Sequence, residues 1–216
     1  MKKLLALVAA SLFAVSGVQA AVVSFGASYG PAPTDWDPVQ SLSLQRFDAA
    51  QGSLNSVSFG FTGSMRSDFD GTSSSASSQQ FSPTLTGTMH FGVPTTTGYG
   101  ISLSATRNVV LAGNASYLDS ISDSQSISDT LWTNLSAFIG TDSFDVDVLA
   151  LGFGRFSGAG NVNGGAETFA TAHVLVTYDY TASRQNVPEP ASLALVGLAL
   201  VGLALTGLAP SRRRRA

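Results

Sequence analysis

Few side chains in this 216-residue chain have the types and spacing that catalysis needs. There is no cysteine, which excludes thiol nucleophiles and cysteine-ligated metals. Residues 26–30 (GASYG) match the Gly-x-Ser-x-Gly pattern that presents a nucleophilic serine where a strand turns sharply into a helix. Residues 31–33 (PAP) follow instead, and prolines favour extended chain or a turn. We therefore expect Ser28 to lie at the end of a strand without a catalytic role.

The two histidines and the acidic clusters are the only other candidates for a metal site or a catalytic site. His90 and His173 each lie alone in a segment that alternates polar and apolar residues, so we do not expect them to pair. Acidic residues cluster as Asp68 with Asp70, and as Asp142 with Asp145 and Asp147. Carboxylates suit Ca²⁺, but neither cluster has the full ligand pattern of an EF-hand loop. We predict no catalytic residue, no cofactor and no metal, and calcium is the one ion left open.

Exposed aromatic side chains offer a different chemistry, because flat rings can stack on sugars. Trp36, Trp132 and the five tyrosines could serve in this way. Packing in a core or along a strand edge is the simpler role for each of them.

The clearest chemical signal lies near the C terminus and is typical of a processing site. It consists of Val187, Pro188, Glu189, Pro190, Ala191 and Ser192. The prolines fix φ and disfavour helix in the preceding residues, so the backbone should be extended there. Glu189 is the only charged residue between Arg184 and Arg212, which makes it a natural recognition group for a protease.

An uncharged segment follows and predicts one transmembrane helix at residues 191–209. At about 1.5 Å per residue it would be about 28 Å long, against a hydrocarbon core of about 30 Å. Its glycines recur every five residues and so do not form the single face of a helix-dimer motif. The segment is followed by Arg212, Arg213, Arg214 and Arg215. Basic residues beside a span stay cytoplasmic, so the preceding chain should lie outside the cytoplasm.

The N terminus independently predicts export. Lys2 and Lys3 precede an apolar run at residues 4–15, which is too short to span a bilayer. Small residues follow, and we expect cleavage after Ala20 or Ala21. The sequence thus predicts a signal peptide at residues 1–20, read by Sec-type export machinery.

Together, the Pro-Glu-Pro, the apolar span and the arginine cluster resemble the PEP-CTERM sorting signal of Gram-negative bacteria. The resemblance covers residues 187–216. It implies recognition by an exosortase in the inner membrane, cleavage near the Pro-Glu-Pro, and passage to the cell surface or the extracellular space. It also implies a setting in which cells make exopolysaccharide and biofilm.

The charge of the mature region narrows its partners. Between residues 21 and 187, five arginines and no lysine stand against thirteen acidic residues, a net charge of about −8. Such a domain is not expected to bind nucleic acid or anionic lipid, whereas cations and neutral polymers stay open as partners.

The elements that must position all these residues are β-strands. Polar and apolar residues alternate in seven segments, a pattern typical of strands with one buried face. These segments are residues 22–26, 41–47, 54–61, 85–93, 101–111, 143–153 and 166–180. They predict an all-β fold, an antiparallel β-sandwich of about seven to nine short strands.

Glycine-containing pairs predict the turns between these strands. They lie at residues 51–52, 70–71, 97–98, 113–114 and 163–165. Residues 72–80 (TSSSASSQQ) predict a polar loop or edge, residues 119–129 form a second polar stretch, and residues 129–138 are the only helix-like segment.

The β domain also resembles the choice-of-anchor E domain of bacterial surface proteins. The resemblance begins at residues 33–36 (PTDW) and continues through an alternating strand, residues 47–48 (FD), residues 52–54 (GSL) and a further strand. It implies a secreted β domain and supplies no catalytic residues. We therefore divide the chain into a signal peptide (1–20), a β domain (21–181), a linker (182–187) and a sorting signal (188–216).

Three functions follow in order of preference. The first is a noncatalytic surface or matrix protein that is sorted by an exosortase. The alternative is a carbohydrate-binding module for exopolysaccharide, and the least favoured is a secreted hydrolase.

Overall fold

The computed structural model describes residues 20–158 and 161–183, and these form an all-β structure. Its nine strands are β1 (Ala20–Pro33), β2 (Gln40–Gln45), β3 (Gly52–Ser73), β4 (Gln79–Gly92), β5 (Tyr99–Thr106), β6 (Val109–Leu111), β7 (Ser116–Leu131), β8 (Ser143–Ser157) and β9 (Val162–Ala182). The helical structure among the described residues is limited to two short 3₁₀ turns, Ala49–Gln51 and Leu135–Phe138.

The strands form two antiparallel sheets that pack face to face, which confirms the predicted antiparallel β-sandwich. The first sheet has the order β1-β9-β3-β7, and the second has the order β2-β8-β4-β5, with β6 paired to β4. The central pair of the first sheet, β3 and β9, stays in register along almost its whole length, from Gly52 opposite Ala182 to Ser73 opposite Val162.

Strict alternation along each central strand builds the core. On β9 the buried set is Ala170, Ala172, Val174, Val176 and Tyr178, and on β8 it is Phe144, Val146, Val148 and Ala150. Phe59 makes an edge-on contact with Phe138, with ring centroids 5.5 Å apart. The buried hydroxyl of Tyr178 donates a hydrogen bond to the carbonyl oxygen of Gln45 at 2.9 Å, which ties the first sheet to the end of β2.

Two methionines interlock the sheets through glycines on the opposite sheet. Gly87 and Gly152 face each other across β4 and β8. Met65 of β3 fills the space above them, because a Cβ added at Gly152 would lie 2.8 Å from the Met65 sulfur. Met89 of β4 fills the space above Gly63 of β3 in the same way, with a sulfur-to-Cβ distance of 2.5 Å. The sheets therefore approach closely at this point.

Three of the predicted turns are confirmed, and two are wrong. The pairs at 51–52, 97–98 and 113–114 lie at or beside strand ends, whereas Gly71 and Gly164 pair with each other inside β3 and β9. A Cβ at Gly164 would overlap the carbonyl oxygen of Asp70. These glycines therefore allow β3 and β9 to approach closely and do not form turns.

The strand predictions missed one strand and misjudged the length of others. The polar stretch at 119–129 lies inside the 16-residue strand β7, and the 101–111 segment splits into β5 and β6. The strands are also not uniformly short, since β3 has 22 residues and β9 has 21. The helix-like prediction at 129–138 is wrong, because residues 129–131 end β7 and only a 3₁₀ turn follows.

The domain boundaries can be compared with the strand ends. β1 begins at Ala20, and β9 runs through Ala182, the first residue of the predicted linker. Ser183 still bonds to the domain, because its N–H donates to the carbonyl oxygen of Gln51 at 2.9 Å. The predicted signal peptide up to residue 19, and the chain from residue 184 onwards, lie outside the described residues.

Candidate functional site

The outward surface of the first sheet is covered largely by hydroxyl groups, and we call it the hydroxyl face. Its members are Ser24 and Ser28 on β1; Thr171 and Thr177 on β9; Ser58, Thr62, Ser64 and Thr72 on β3; and Ser116, Ser120, Ser122, Ser124, Ser126, Ser128 and Thr130 on β7. Neighbouring strands lie about 4.8 Å apart, and same-face residues lie about 6.7 Å apart along a strand. The result is a regular array of small polar groups.

Several of these hydroxyls bond to one another across strands. Ser24 and Thr177 are 2.8 Å apart, and Ser58 and Thr130 are 2.9 Å apart. Thr62 and Ser126 form a third such pair at 2.8 Å. Each hydroxyl has one donor and two acceptor positions, so every pair keeps bonding capacity for a molecule in the solvent.

An arginine and a phenylalanine interrupt the hydroxyl face near its middle. Arg66 on β3 lies opposite Phe169 on β9, and its guanidinium carbon is 5.4 Å from the ring centroid, a cation–π contact. Arg66 also bonds to the Asp68 carboxylate at 2.9 Å. Asp68 in turn accepts a hydrogen bond from Ser120 of β7 at 2.7 Å. The guanidinium is thereby held over the sheet.

Two shallow depressions lie along this face. The larger, about 430 Å³, crosses all four strands, and its lining includes Pro31, Ser64, Arg66, Asp123, Ser124, Phe169 and Thr171. The smaller, about 300 Å³, lies further along β3 and β7 and is lined by Asp70, Thr72, Ser116 and Asn163. These depressions, with the hydroxyls between them, are the candidate binding surface.

The backbone around Ser28 does not form the strand-to-helix turn that presents a nucleophilic serine. β1 continues five residues beyond Ser28 to Pro33, so no helix follows the serine. Its exposed side chain lies opposite His173 on the hydroxyl face. The prediction that Ser28 lies at the end of a strand is wrong, because Ser28 lies inside β1. His90 is on the second sheet, in β4, so the structure does not bring the two histidines together.

Three of the five clustered aspartates, Asp68, Asp142 and Asp147, bond to side chains of the same domain. Asp142 pairs with Arg46 at 3.0 Å, and Asp147 accepts a hydrogen bond from Ser41 at 2.6 Å. Asp145 lies on the same outward face of β8 as Asp147. Asp70 lines the smaller depression. Within residues 20–158 and 161–183, no group of three or more acidic or histidine side chains is arranged to hold a metal ion.

The tryptophans divide between core and surface. Trp36 is buried, donates its indole N–H to the carbonyl oxygen of Pro33 at 2.7 Å, and packs edge-on against Tyr29. Trp132 is 70% exposed, just beyond the end of β7. Neither lines the two depressions.

Three inward-facing aspartates of β7 bond across to β5 and to Arg107, the residue that follows it, and we call this contact the acid seam. Asp119 pairs with Arg107, Asp123 accepts the backbone N–H of Ser104 at 2.9 Å, and Asp129 accepts the Tyr99 hydroxyl at 2.7 Å. The acid seam joins the edge of the first sheet to the edge of the second sheet.

The acid seam shifts the pKa of Asp119, Asp129 and Tyr99. The pKa of Asp129 is lowered, chiefly because the Tyr99 hydroxyl donates to the carboxylate. The pKa of Asp119 is lowered, chiefly by the Ser120 backbone N–H and further by Tyr117 and Arg107. Burial, reinforced by the bond to Asp129, raises the pKa of Tyr99 to about 12. These carboxylates therefore stay charged and act as structural acceptors.

Sequence reasoning missed Arg66 and Phe169. Phe169 lies in the predicted strand segment 166–180, whereas Arg66 lies outside all seven predicted segments. Nothing local distinguishes either residue, and they are 103 positions apart in the chain. Only the register of β3 with β9 brings them together. The excess of serine at alternate positions of β7 was visible in the sequence and could have indicated a polar sheet face.

The residues predicted for sorting cannot be placed in this geometry. Val187, Pro188, Glu189, Pro190, Ala191, Ser192 and the four arginines at 212–215 lie outside the described residues. Ala20 and Ala21, at the predicted cleavage site, are the first two residues of β1, opposite Thr181 and Tyr180. Within the described parts of the chain, no helix has the length and apolarity needed to cross a membrane.

Comparison with known families identifies the C-terminal segment. A model of the PEP-CTERM protein-sorting motif matches residues 186–215. This match supports the predicted sorting signal and indicates export with exosortase processing. No match was found among curated proteins.

Two of the solved structures that match this chain are only weakly similar to it. One is a crystal structure of the T13 viral particle of IBDV, with 12% identity, 89% of this chain and 49% of that chain covered, and a TM-score of 0.21. Another is the infectious bursal disease virus Gx strain, with 13% identity, 88% and 50% coverage, and a TM-score of 0.16. The chain spans about half the length of these viral chains, and TM-scores this low carry no argument about function.

Proposed function

We propose that this protein is a noncatalytic component of the bacterial cell surface or extracellular matrix, sorted there by an exosortase. The observation that carries the proposal is the PEP-CTERM match at residues 186–215. The motif indicates export and a surface or extracellular location. The structural role and the choice-of-anchor E character of the β domain are the further steps that we propose.

In this proposal the signal peptide acts first and the sorting signal acts after it. Sec-type machinery exports the chain across the inner membrane of a Gram-negative bacterium. The span at 191–209 then holds it there transiently, with the arginines at 212–215 on the cytoplasmic side. Exosortase cleaves near Glu189 and releases the β domain to the surface.

The noncatalytic assignment is supported by the positions of the candidate nucleophile and bases. Ser28 lies inside a strand, and no hydrogen bond within the described part of the chain joins it to His173, which lies opposite it on β9. A serine hydrolase requires its nucleophile, base and acid within hydrogen-bonding reach of one another. A hydrolase is therefore not our proposal.

Intact-mass analysis of the protein from cells with and without the exosortase tests this function. We expect a product ending near the Pro-Glu-Pro in normal cells and a chain retaining residues 192–216 in exosortase-deficient cells. Glu189→Ala should slow processing, whereas Glu167→Ala, an exposed acid of β9, should leave it unchanged. A mature protein that still carries residues 192–216 in normal cells would contradict the proposal.

Carbohydrate binding is the second candidate, and the hydroxyl face is the observation that favours it. A broad array of hydroxyls matches the hydrogen-bonding chemistry of a polysaccharide such as the exopolysaccharide of a biofilm. A protein with this property would link the cell surface to its matrix.

A further inference from the structure

We infer that the two depressions of the hydroxyl face form one groove that binds a neutral, linear polysaccharide chain. This inference deepens the carbohydrate-binding candidate above and rests on it. It assigns the binding surface, the residues that bind, and the chemical class of the ligand.

The larger depression combines the two kinds of contact that a sugar ring requires. A pyranose has an apolar face of C–H groups and a rim of hydroxyls. Pro31 and Phe169 provide apolar surface beside the Arg66 guanidinium, which itself lies over the Phe169 ring, while Arg66, Ser64, Ser124 and Thr171 provide donors and acceptors for the rim. Ligand pockets typically join apolar surface with a few placed polar groups in this way.

Arg66 is the strongest donor of the groove and is already held in position. Its contacts with the Phe169 ring and the Asp68 carboxylate restrict the side chain before any ligand arrives. A planar guanidinium presents several N–H groups in a fixed geometry. Less conformational entropy is therefore lost when it donates to sugar hydroxyls.

The charge around the groove selects against anionic polymers. Asp68, Asp70 and Glu167 all lie on the same outward face as Arg66, and Asp68 already neutralises the guanidinium. The region between residues 21 and 187 carries a net charge of about −8. A polyanion would be repelled from such a surface, whereas a neutral polymer would not be repelled.

The two depressions follow one another along β3, and this arrangement favours a linear ligand. Arg66 in the larger depression and Asp70 in the smaller one are four residues apart on β3, which corresponds to about 13 Å along the strand. Asp68 and Ser120 lie between them and are both polar. An extended chain running parallel to β3 and β7 would contact both depressions.

Affinity electrophoresis of the exported protein in gels containing dextran, xylan or alginate tests the groove. We expect retardation by at least one neutral polymer and weaker or no retardation by alginate, a polyanion. Arg66→Ala should weaken the affinity about tenfold or more, since hydrogen bonds to a charged group are of that size. Phe169→Ala should weaken it about threefold or more, because an exposed aromatic contact is worth less.

Matched controls lie on the opposite outer face, where Phe153 is 57% exposed and Arg155 is also exposed. Phe153→Ala and Arg155→Ala remove the same side-chain types from β8 and should not change the affinity. Thermal unfolding followed by circular dichroism checks that all four variants stay folded.

The outcomes separate this inference from the functions on which it rests. If the protein binds no polymer of the panel, both the carbohydrate-binding candidate and the groove are wrong, while the sorting proposal stands. If a neutral polymer binds and the Phe169 and Arg66 variants bind it equally well, the groove is wrong but the candidate function stands. If the protein binds alginate more tightly than dextran and xylan, the assignment of a neutral ligand is wrong.

Discussion

At the scale of single residues, close approach between the sheets depends on glycines that face methionines. Met65 fits above Gly87 and Gly152, and Met89 fits above Gly63. Methionine has a flexible, unbranched side chain that fills irregular space, and glycine leaves that space open. The paired arrangement explains why these glycines lie in buried strand interiors, where they would otherwise weaken the strands.

Gly87→Ala is the sharpest test of this interlock. The added Cβ would overlap the Met65 sulfur and lie 2.9 Å from the carbonyl oxygen of Leu151, which is backbone and cannot easily move. Overpacking of this kind typically lowers the free energy of unfolding by about 1–3 kcal/mol. Urea denaturation would measure the difference from the wild-type protein.

Gly100→Ala is the matched control for that variant. It places the same methyl group on β5, where nothing lies within 4 Å of the new Cβ. Its stability should equal or slightly exceed that of the wild type, because alanine reduces the entropy of the unfolded chain. Equal stability of the two variants would show that the interlock contributes nothing.

At the scale of elements, β7 shows how an edge strand can be both polar and well anchored. Its outward side belongs to the hydroxyl face, and its inward side carries the three aspartates of the acid seam. Inward-pointing charges at an edge also oppose pairing with another chain, since a second strand would have to bury them. The acid seam thus closes the sandwich along this edge and protects the edge from aggregation.

The acid seam predicts how stability depends on pH. The folded pKa values of Asp119 and Asp129 are below the ordinary value of 3.8, so the unfolded chain binds these protons more tightly. Their stabilisation is fully present above that ordinary value and is lost as the pH falls through the lowered pKa values. For Tyr99 the sign is reversed: stability is present below pH 10.0 and is lost as the pH rises through about 12.

Unfolding free energies measured from pH 7 down to pH 2 check this prediction. Asp129→Asn should reduce the acid-induced loss of stability, because the substituted side chain does not titrate. Asp145→Asn, on the outer face of β8, removes an exposed acid that lies away from the acid seam. If both variants follow the wild-type curve, the acid seam is not the origin of the pH dependence.

At the scale of the whole molecule, distant parts of the chain pair to form the first sheet. β1 pairs with β9, so Ala20 lies opposite Thr181, and β3 pairs with β9 from Gly52 opposite Ala182 onwards. One of the two central strands of this sheet, β9, is therefore the last of the described strands to be synthesised. The first sheet cannot be completed until nearly the whole domain is available.

Slow folding is the expected consequence of this topology. Closing loops of more than a hundred residues costs entropy before the contacts form, so β-sandwiches typically fold in about milliseconds to seconds. Stopped-flow refolding of the exported protein should show relaxation in that range. Refolding complete within microseconds would contradict the observed strand order, in which the longest pairings join the two ends of the domain.

The sequence by itself determined the class of the fold, the lack of thiol chemistry and the sorting signal. These depend on local patterns: side chains alternate with period two, and a sorting motif is a continuous segment. The alternation in residues 143–153 also predicted that Phe144, Val146 and Val148 share one face, and these three side chains are buried. The same reasoning failed for β7, because aspartates of the acid seam occupy inward positions that are usually apolar.

Only the tertiary structure decided which strands are neighbours, and therefore which residues share a surface. Arg66 and Phe169 meet because β3 pairs with β9, and Ser120 reaches Asp68 because β7 pairs with β3. Alternation assigns a residue to one face of its own strand but carries no information about the partner strand. Partner and register follow from burying all the apolar faces together, which is a property of the complete chain.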